Sequence, residues 1–269
     1  MNRPQHVLMV LSGKGGVGKS TIAVNVAVAL AHRLDVGILD ADLHGPNVPK
    51  MLGIEGATMA LRGGKLLPVS TPYNLTVASL AFALPSVDAP VIWRGPLKMR
   101  AIQQLLEDVA WPSLDLLVVD LPPGTGDEAL SVAQLVGRGE TAVVVTTPQD
   151  VAVLDASKAV SFARKVGVAR IGVVENMAGL VCPHCGQEIA LCGVGGGEEL
   201  AGRMDVPFLG RIPLLPAVLQ GGDRGRPAVL LPQAREPFLA LGNKVLSLLD
   251  GPEEGLPQPE APHGEQTSS

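Results

Sequence analysis

Residues 6–21 read HVLMVLSGKGGVGKST, and this stretch decides the fold. The first seven are almost all apolar and end against glycine, the pattern of a strand covered on both faces. They run into GKGGVGKS (13–20), which fits G-x-x-x-x-G-K-[ST] with Gly13, Gly18, Lys19 and Ser20 at the defined positions. The chemistry needs this order. Glycines let the backbone N–H groups from Gly13 through Lys14, Gly15, Gly16, Val17 and Gly18 turn inward around phosphate oxygens. The helix that opens with Ser20 and Thr21 then adds its positive end. Lys19 is expected to neutralise the β- and γ-phosphates and the Ser20 hydroxyl to ligate Mg²⁺. A glycine-rich turn that fits by accident would lack the strand before it and the helix STIAVNVAVALAHRL (20–34) after it.

The same alternation continues outward. VGILDAD reads as a second strand, followed by LDLLVVDLP (114–122), TAVVVTTP (141–148), RIGVVENM (170–177) and PFLGRIP (207–213). Helix-like segments lie near 97–110, 127–136, 151–166, 197–204 and 234–249. Continuous β-branched runs between helices predict an α/β fold, a doubly wound, mostly parallel sheet flanked by helices. Residues 54–92 break the rhythm and are expected to hold a hairpin or an excursion from the sheet. Residues 178–197 read as an insertion between a strand and the helix GGEELAGRM. A single ATPase domain over 1–250 is expected, with a disordered acidic, Pro-rich tail at 251–269.

Bulk composition agrees. Of 269 residues 46% are hydrophobic and only 3% aromatic, so the core must be built from Val, Leu, Ile and Ala. A net charge of −5 argues against a surface that grips nucleic acid by its phosphates. No run of eighteen apolar residues and no leader pattern occurs, so a soluble cytoplasmic protein without membrane or nucleic-acid partners is expected. Three cysteines do not make a disulfide framework.

Two further segments carry carboxylates. Asp40 and Asp42 follow the second strand, and Asp120 ends LLVVD, all at strand C-termini where open α/β sheets place their ligand crevice. Asp120 fits a Walker B carboxylate acting on Mg²⁺ mostly through water. The alternative, an Asp that merely caps a turn, stays open for Asp40 and Asp42.

VCPHCGQEIALCG (181–193) poses a counting problem. Cys182 and Cys185 have metal-knuckle spacing, yet zinc or an iron–sulfur cluster wants four ligands. A thiol–disulfide motif would need a helix after the first Cys, and GQEIALCGVGGG is a poor helix. In C-P-x-C-G the glycine is expected to free a backbone N–H for a thiolate. His184 is expected to turn away from the sulfurs, and Cys192 is either a third ligand or small apolar packing.

SGKGGVGKST, LDADLHGPNVP, WRGP (93–96), VVDLPPGTGDE, ENM…CPHCG, GGGEELA and LGRIPLLPAVLQGGDRGRP occur in the order seen in the Mrp/ApbC-type iron–sulfur carrier ATPases, which the chain resembles from about residue 6 to 249. This family belongs to the deviant Walker A group of P-loop ATPases, related to the MinD and ParA types. The resemblance implies that Lys14 crosses a nucleotide-sandwich dimer to the partner's ATP. It also implies that Asp42 orients the attacking water, that Asp40 supports Mg²⁺ and that the Gly124 N–H senses the γ-phosphate. Asn176 and Pro213 would contact adenine. Lys14, Lys19 and Asp42 would then be the catalytic set of a slow ATPase. Two cysteines per chain become four across a two-fold axis, so a homodimer could hold one 4Fe–4S cluster, or zinc in its place, and pass the cluster to apo iron–sulfur proteins. Two alternatives remain at this point: an ATP-dependent dimeric positioning switch on membrane or DNA, and a zinc-stabilised nucleotide-binding protein.

Overall fold

A computed structural model describes residues 4–42, 45–83, 95–137, 140–182, 184–190 and 193–251. Numbered in chain order, its strands and helices are β1 (His6–Ser12), α1 (Lys19–Leu30), β2 (Val36–Asp40), α2 (Val48–Met51), β3 (Leu61–Arg62), β4 (Lys65–Leu66), β5 (Val69–Ser70), β6 (Leu75–Ser79), α3 (Gly95–Glu107), β7 (Leu116–Asp120), α4 (Asp127–Val136), β8 (Thr141–Thr146), α5 (Asp150–Lys165), β9 (Arg170–Val181), β10 (Glu188–Ile189), α6 (Gly196–Arg203), β11 (Phe208–Leu214), α7 (Pro216–Asp223) and α8 (Arg235–Leu249).

The main sheet runs β10-β9-β8-β1-β7-β2-β6-β5, with β11 on the outer side of β9. The pairs among β11, β9, β8, β1, β7, β2 and β6 are all parallel, and the short β10 and β5 are antiparallel additions. Two cores follow from the two faces. Leu8, Val10, Ile38 and Val118 pack on one side with α1 and α8, and Met9, Leu11, Val119 and Val144 on the other with α4, α5 and α6. The β-branched runs are therefore buried on both faces, as parallel strands require. Helix α1 is buried nearly all round rather than along one stripe, because it lies between the sheet and α8.

Three expectations change. Residues 54–92 hold more than an excursion: β3 and β4 form a separate hairpin, while β6 is a full strand of the main sheet beside β2. Its sequence, LTVAS, mixes Thr, Ala and Ser with only two large apolar residues, so it lacks the run that marks its neighbours. The insertion does not begin where β9 leaves the sheet either. β9 continues to Val181 and turns through Cys182 into β10, with Glu188 opposite Val181 and Ile189 opposite Leu180. Finally, α7 occupies a stretch to which the sequence reading assigned no element. Residues 252–269, Cys192, Trp93 and Arg94 lie outside the described residues.

Candidate nucleotide and cysteine sites

β1 delivers the loop 13–18 to the C-terminal edge of the sheet, and two of its glycines are forced by close approach. A Cβ on Gly13 would lie 2.1 Å from the backbone carbonyl of Asp155 in α5. One on Gly18 would lie 2.1 Å from the Asn176 amide nitrogen, at a φ of +87° that side chains rarely adopt. Gly13→Ala can be accommodated only by pushing α5 away from the loop. It is expected to destabilise the fold by about 1–3 kcal/mol or more and to lower Tm without altering the charges of the site. A variant melting with the wild type would show that the loop does not need this contact.

Lys19 is 6% exposed and its ammonium donates to Asp120 Oδ1 at 2.7 Å, with Asp42 Oδ2 at 3.6 Å and Ser20 Oγ at 3.5 Å. Asp40 is buried opposite Asp120 in the β2–β7 register. It accepts from Ser79 Oγ at 2.9 Å and from the Asp42 N–H at 3.3 Å. Burial, then the negative charge of Asp120, pushes the Asp40 carboxyl well above its ordinary range; Ser79 and Lys19 offset only part of this. Asp120 is also raised by burial, with Lys19 opposing. Among the described residues its buried Oδ2 has no hydrogen-bond partner. An orphaned carboxylate oxygen beside a second buried carboxylate suits a divalent cation, because the added charge relieves both costs. Asp40, Asp120 and Ser20 are thus the donor set that fits Mg²⁺.

Lys19, Ser20, Asp40, Asp42 and Asp120, singled out in the sequence, stand close together in the structure. Sequence reasoning missed Ser79, which orients Asp40 from the unrecognised strand β6. Lys14 is half-buried in the loop. Its carbonyl accepts from Ser12 Oγ at 2.9 Å. Gly124 departs from expectation. Its N–H donates to the Ser12 carbonyl at 2.8 Å, so it could meet a phosphate only after that bond opens.

Beyond the loop lies a cavity of about 270 Å³. Its lining includes Thr21, Asn25, Met51, Asn176, Pro213 and Val218. Asn176 and Pro213 come from adjacent strands β9 and β11, and Asn176 Nδ2 donates to the Val17 carbonyl at 2.9 Å. One amide side chain therefore touches the phosphate loop and lines a largely apolar slot. The walls from α2 and α7 were not anticipated, since α2 is a single turn and no element was assigned to the residues of α7.

The cysteines sit past this slot, in the turn that follows β9. Cys182 is half-buried, and Cys185 and His184 are exposed. The backbone N–H of Cys185, then that of His184, and the Cys185 thiol hold the Cys182 thiol below its ordinary range. The glycine plays another part than expected: the Gly186 N–H donates to the Cys182 carbonyl at 2.9 Å and closes the turn. Among the described residues no third His, Cys, Asp or Glu completes a metal site.

Residues 3–246 match the family model described as ParA, NUBPL iron-transfer P-loop NTPase. The chain belongs to this family. An iron-sulfur cluster carrier protein of Methanocaldococcus jannaschii is 44% identical over 256 residues, spanning 94% of this chain and 88% of that protein. One of Pyrococcus horikoshii is 46% identical over 258 residues, spanning 91% and 87%. Among solved structures, an ADP complex of a nucleotide-binding protein from Archaeoglobus fulgidus superposes with a TM-score of 0.74 at 37% identity, covering 88% of this chain and 93% of that one. The cell division ATPase MinD of Pyrococcus furiosus gives 0.67 at 26% identity, with 91% and 99% covered. The iron-transfer NTPase thus has the MinD-like parallel sheet, with the cysteine turn built onto the far end of β9. Among the described residues no helix is long and apolar enough to cross a membrane.

Proposed function

We propose that this iron-transfer NTPase is a homodimeric, slowly ATP-hydrolysing carrier that holds a labile 4Fe–4S cluster on Cys182 and Cys185 of two chains and delivers it to apo-proteins. The observation that carries the reading is the pairing of two accessible cysteines, one with a stabilised thiolate, with a complete set of phosphate-loop charges on the same sheet edge. Two cysteines are half of what a cluster needs, and a two-fold axis supplies the other half. A cluster held at an interface by four thiolates is releasable, as cargo must be. It also calls for a reducing compartment, which favours a cytoplasmic location. The net charge of −5 and the match to carrier proteins favour this over a switch on DNA or membrane.

Within the site, residues 13–21 bind the phosphates of ATP, while Asn176 and Pro213 hold the base in the slot. Mg²⁺ on Ser20, Asp40 and Asp120 supplies charge neutralisation of the phosphate oxygens. Asp42, anchored by its own N–H to Asp40 and 3.6 Å from Lys19, is placed to orient a water. Lys14 reaches the partner's nucleotide, and Gly124 reports the γ-phosphate by exchanging its bond to Ser12. The ATPase unit ends with α8, near residue 250.

Asp42→Asn should preserve nucleotide binding and slow hydrolysis by about 10²–10⁴-fold, the usual range for a positioned base. Lys14→Ala should spare binding within one chain and also impair turnover. Phosphate release under saturating ATP tests both, and wild-type rates in either variant would move its role elsewhere. Anaerobic reconstitution with iron and sulfide, read by absorption and metal counts, tests the carrier itself. Zinc alone, with no iron–sulfur chromophore, would favour a structural zinc site on the same sulfurs.

A further inference from the structure

Glu175 is absorbed neither by the nucleotide site nor by the cysteines, although it stands next to one and spans to the other. It is fully buried in β9. Its carboxylate accepts from the Gly195 N–H at 3.0 and 3.2 Å, from the Gly197 N–H at 2.5 Å and from Arg211 Nε at 3.3 Å. Arg211 also pairs with Glu198 in α6. These contacts fasten the start of α6, where the chain returns from the cysteine turn. The next residue, Asn176, points to the other face of the sheet and donates to Val17 in the phosphate loop. Arg211, opposite Glu175 in the strand register, stands two residues before Pro213 of the base slot.

We propose that Glu175 is a positioning residue that couples the nucleotide site to the cysteine turn, and the proposal rests on reading Asn176 as a nucleotide contact. The turn has two ends. Its entry continues β9 directly from Asn176 to Cys182. Its exit, residues 193–197, is tied to the same strand through the Glu175 carboxylate. A shift of the 175–176 peptide that accompanies nucleotide binding therefore moves both ends together. Without the carboxylate the exit is released, and only the entry follows. A buried acceptor of three N–H groups is well suited to this, because bonds to a charged acceptor are stiffer than neutral ones. Glutamine fits the space but turns two donors toward other donors, so at least one N–H loses its partner.

The test uses metal-free full-length protein, so that it stands apart from cluster loading. Amide hydrogen exchange is followed over residues 184–190 and 193–197 with and without ADP and Mg²⁺. In the wild type, nucleotide should slow exchange in both segments by about fivefold or more, the lower end of ordinary coupling. In Glu175→Gln the affinity for ADP should stay within about twofold, while the nucleotide effect over 193–197 disappears. Arg211→Gln, which keeps the backbone bonds to Glu175, should give an intermediate loss and serves if the first variant does not fold. A nucleotide effect of wild-type size at 193–197 in a folded variant, or none in the wild type despite tight binding, would overturn the coupling. Failure of the cluster reading would show separately, as absent iron in reconstituted protein with the exchange response intact.

Discussion

Lys19→Ala is expected to lose at least about two orders of magnitude in ATP affinity, read by calorimetry, since the charged contacts to two phosphates are each worth ~1.5–3 kcal/mol. The same change disturbs the protein before any nucleotide binds. Lys19 is the cation that faces the buried Asp120 at 2.7 Å and the partly buried Asp42 at 3.6 Å. Removing it takes the Lys19 charge away from the buried Asp120 carboxylate, and breaking such a buried pair costs about 3–5 kcal/mol. Asp120 already titrates above its ordinary value through burial, and losing Lys19 raises it further. A carboxyl whose folded-state pKa lies above the unfolded one contributes its stability at low pH and loses it as pH rises through the folded value. The Tm deficit of Lys19→Ala should therefore be greatest near pH 7 and shrink below about pH 4, where Asp is protonated in the unfolded chain as well. Unchanged ATP affinity would sink the assignment of the phosphate loop. A deficit independent of pH would show that the pair with Asp120 is not its source.

The second large effect concerns the cargo. Cys182→Ser or Cys185→Ser should abolish cluster retention, because the hydroxyl is a hard, weakly acidic donor and iron–sulfur chemistry selects thiolates. Reconstituted wild type should carry about four irons per dimer, or roughly two per chain. His184→Ala should leave this count intact, its side chain being exposed. Cys192→Ser should also leave it intact if the four sulfurs come from two knuckles. Since the site is complete only where two chains meet, loading should shift the mass in solution toward dimer. One metal per monomer, kept in a monomeric fraction and lost on Cys192→Ser, would refute the bridging arrangement and place the remaining ligands within one chain.

Legibility along this chain tracks how local the physical cause is. GKGGVGKS could be read directly because the phosphate cradle is made by consecutive backbone units, and strand β1 and helix α1 flank it without interruption. CPHC could be read because a turn of four residues sets the sulfur spacing by itself. The strands β2, β7, β8 and β9 were visible as β-branched runs because parallel strands bury both faces. β6 was not, because its burial depends on the β2 edge beside it more than on its own composition. Ser79 was lost with it. The α2 and α7 walls of the base slot were hidden for a related reason, being short segments whose conformation is decided by what they pack against.

By itself, then, the amino-acid sequence determined the α/β class, the phosphate loop, the carboxylates at the strand ends and the paired cysteines. Each is written in residues that are neighbours along the chain or in the periodicity of one element. Only the tertiary structure decided which of these meet. It set Lys19 between Asp120 and Asp42, gave Asp40 its partner in Ser79 and, among the described residues, left Asp120 Oδ2 without one. It committed the Gly124 N–H to Ser12, and it tied Glu175 to residues twenty and more positions away. These are contacts between separate strands and loops, set by strand order and register, and no local pattern encodes them.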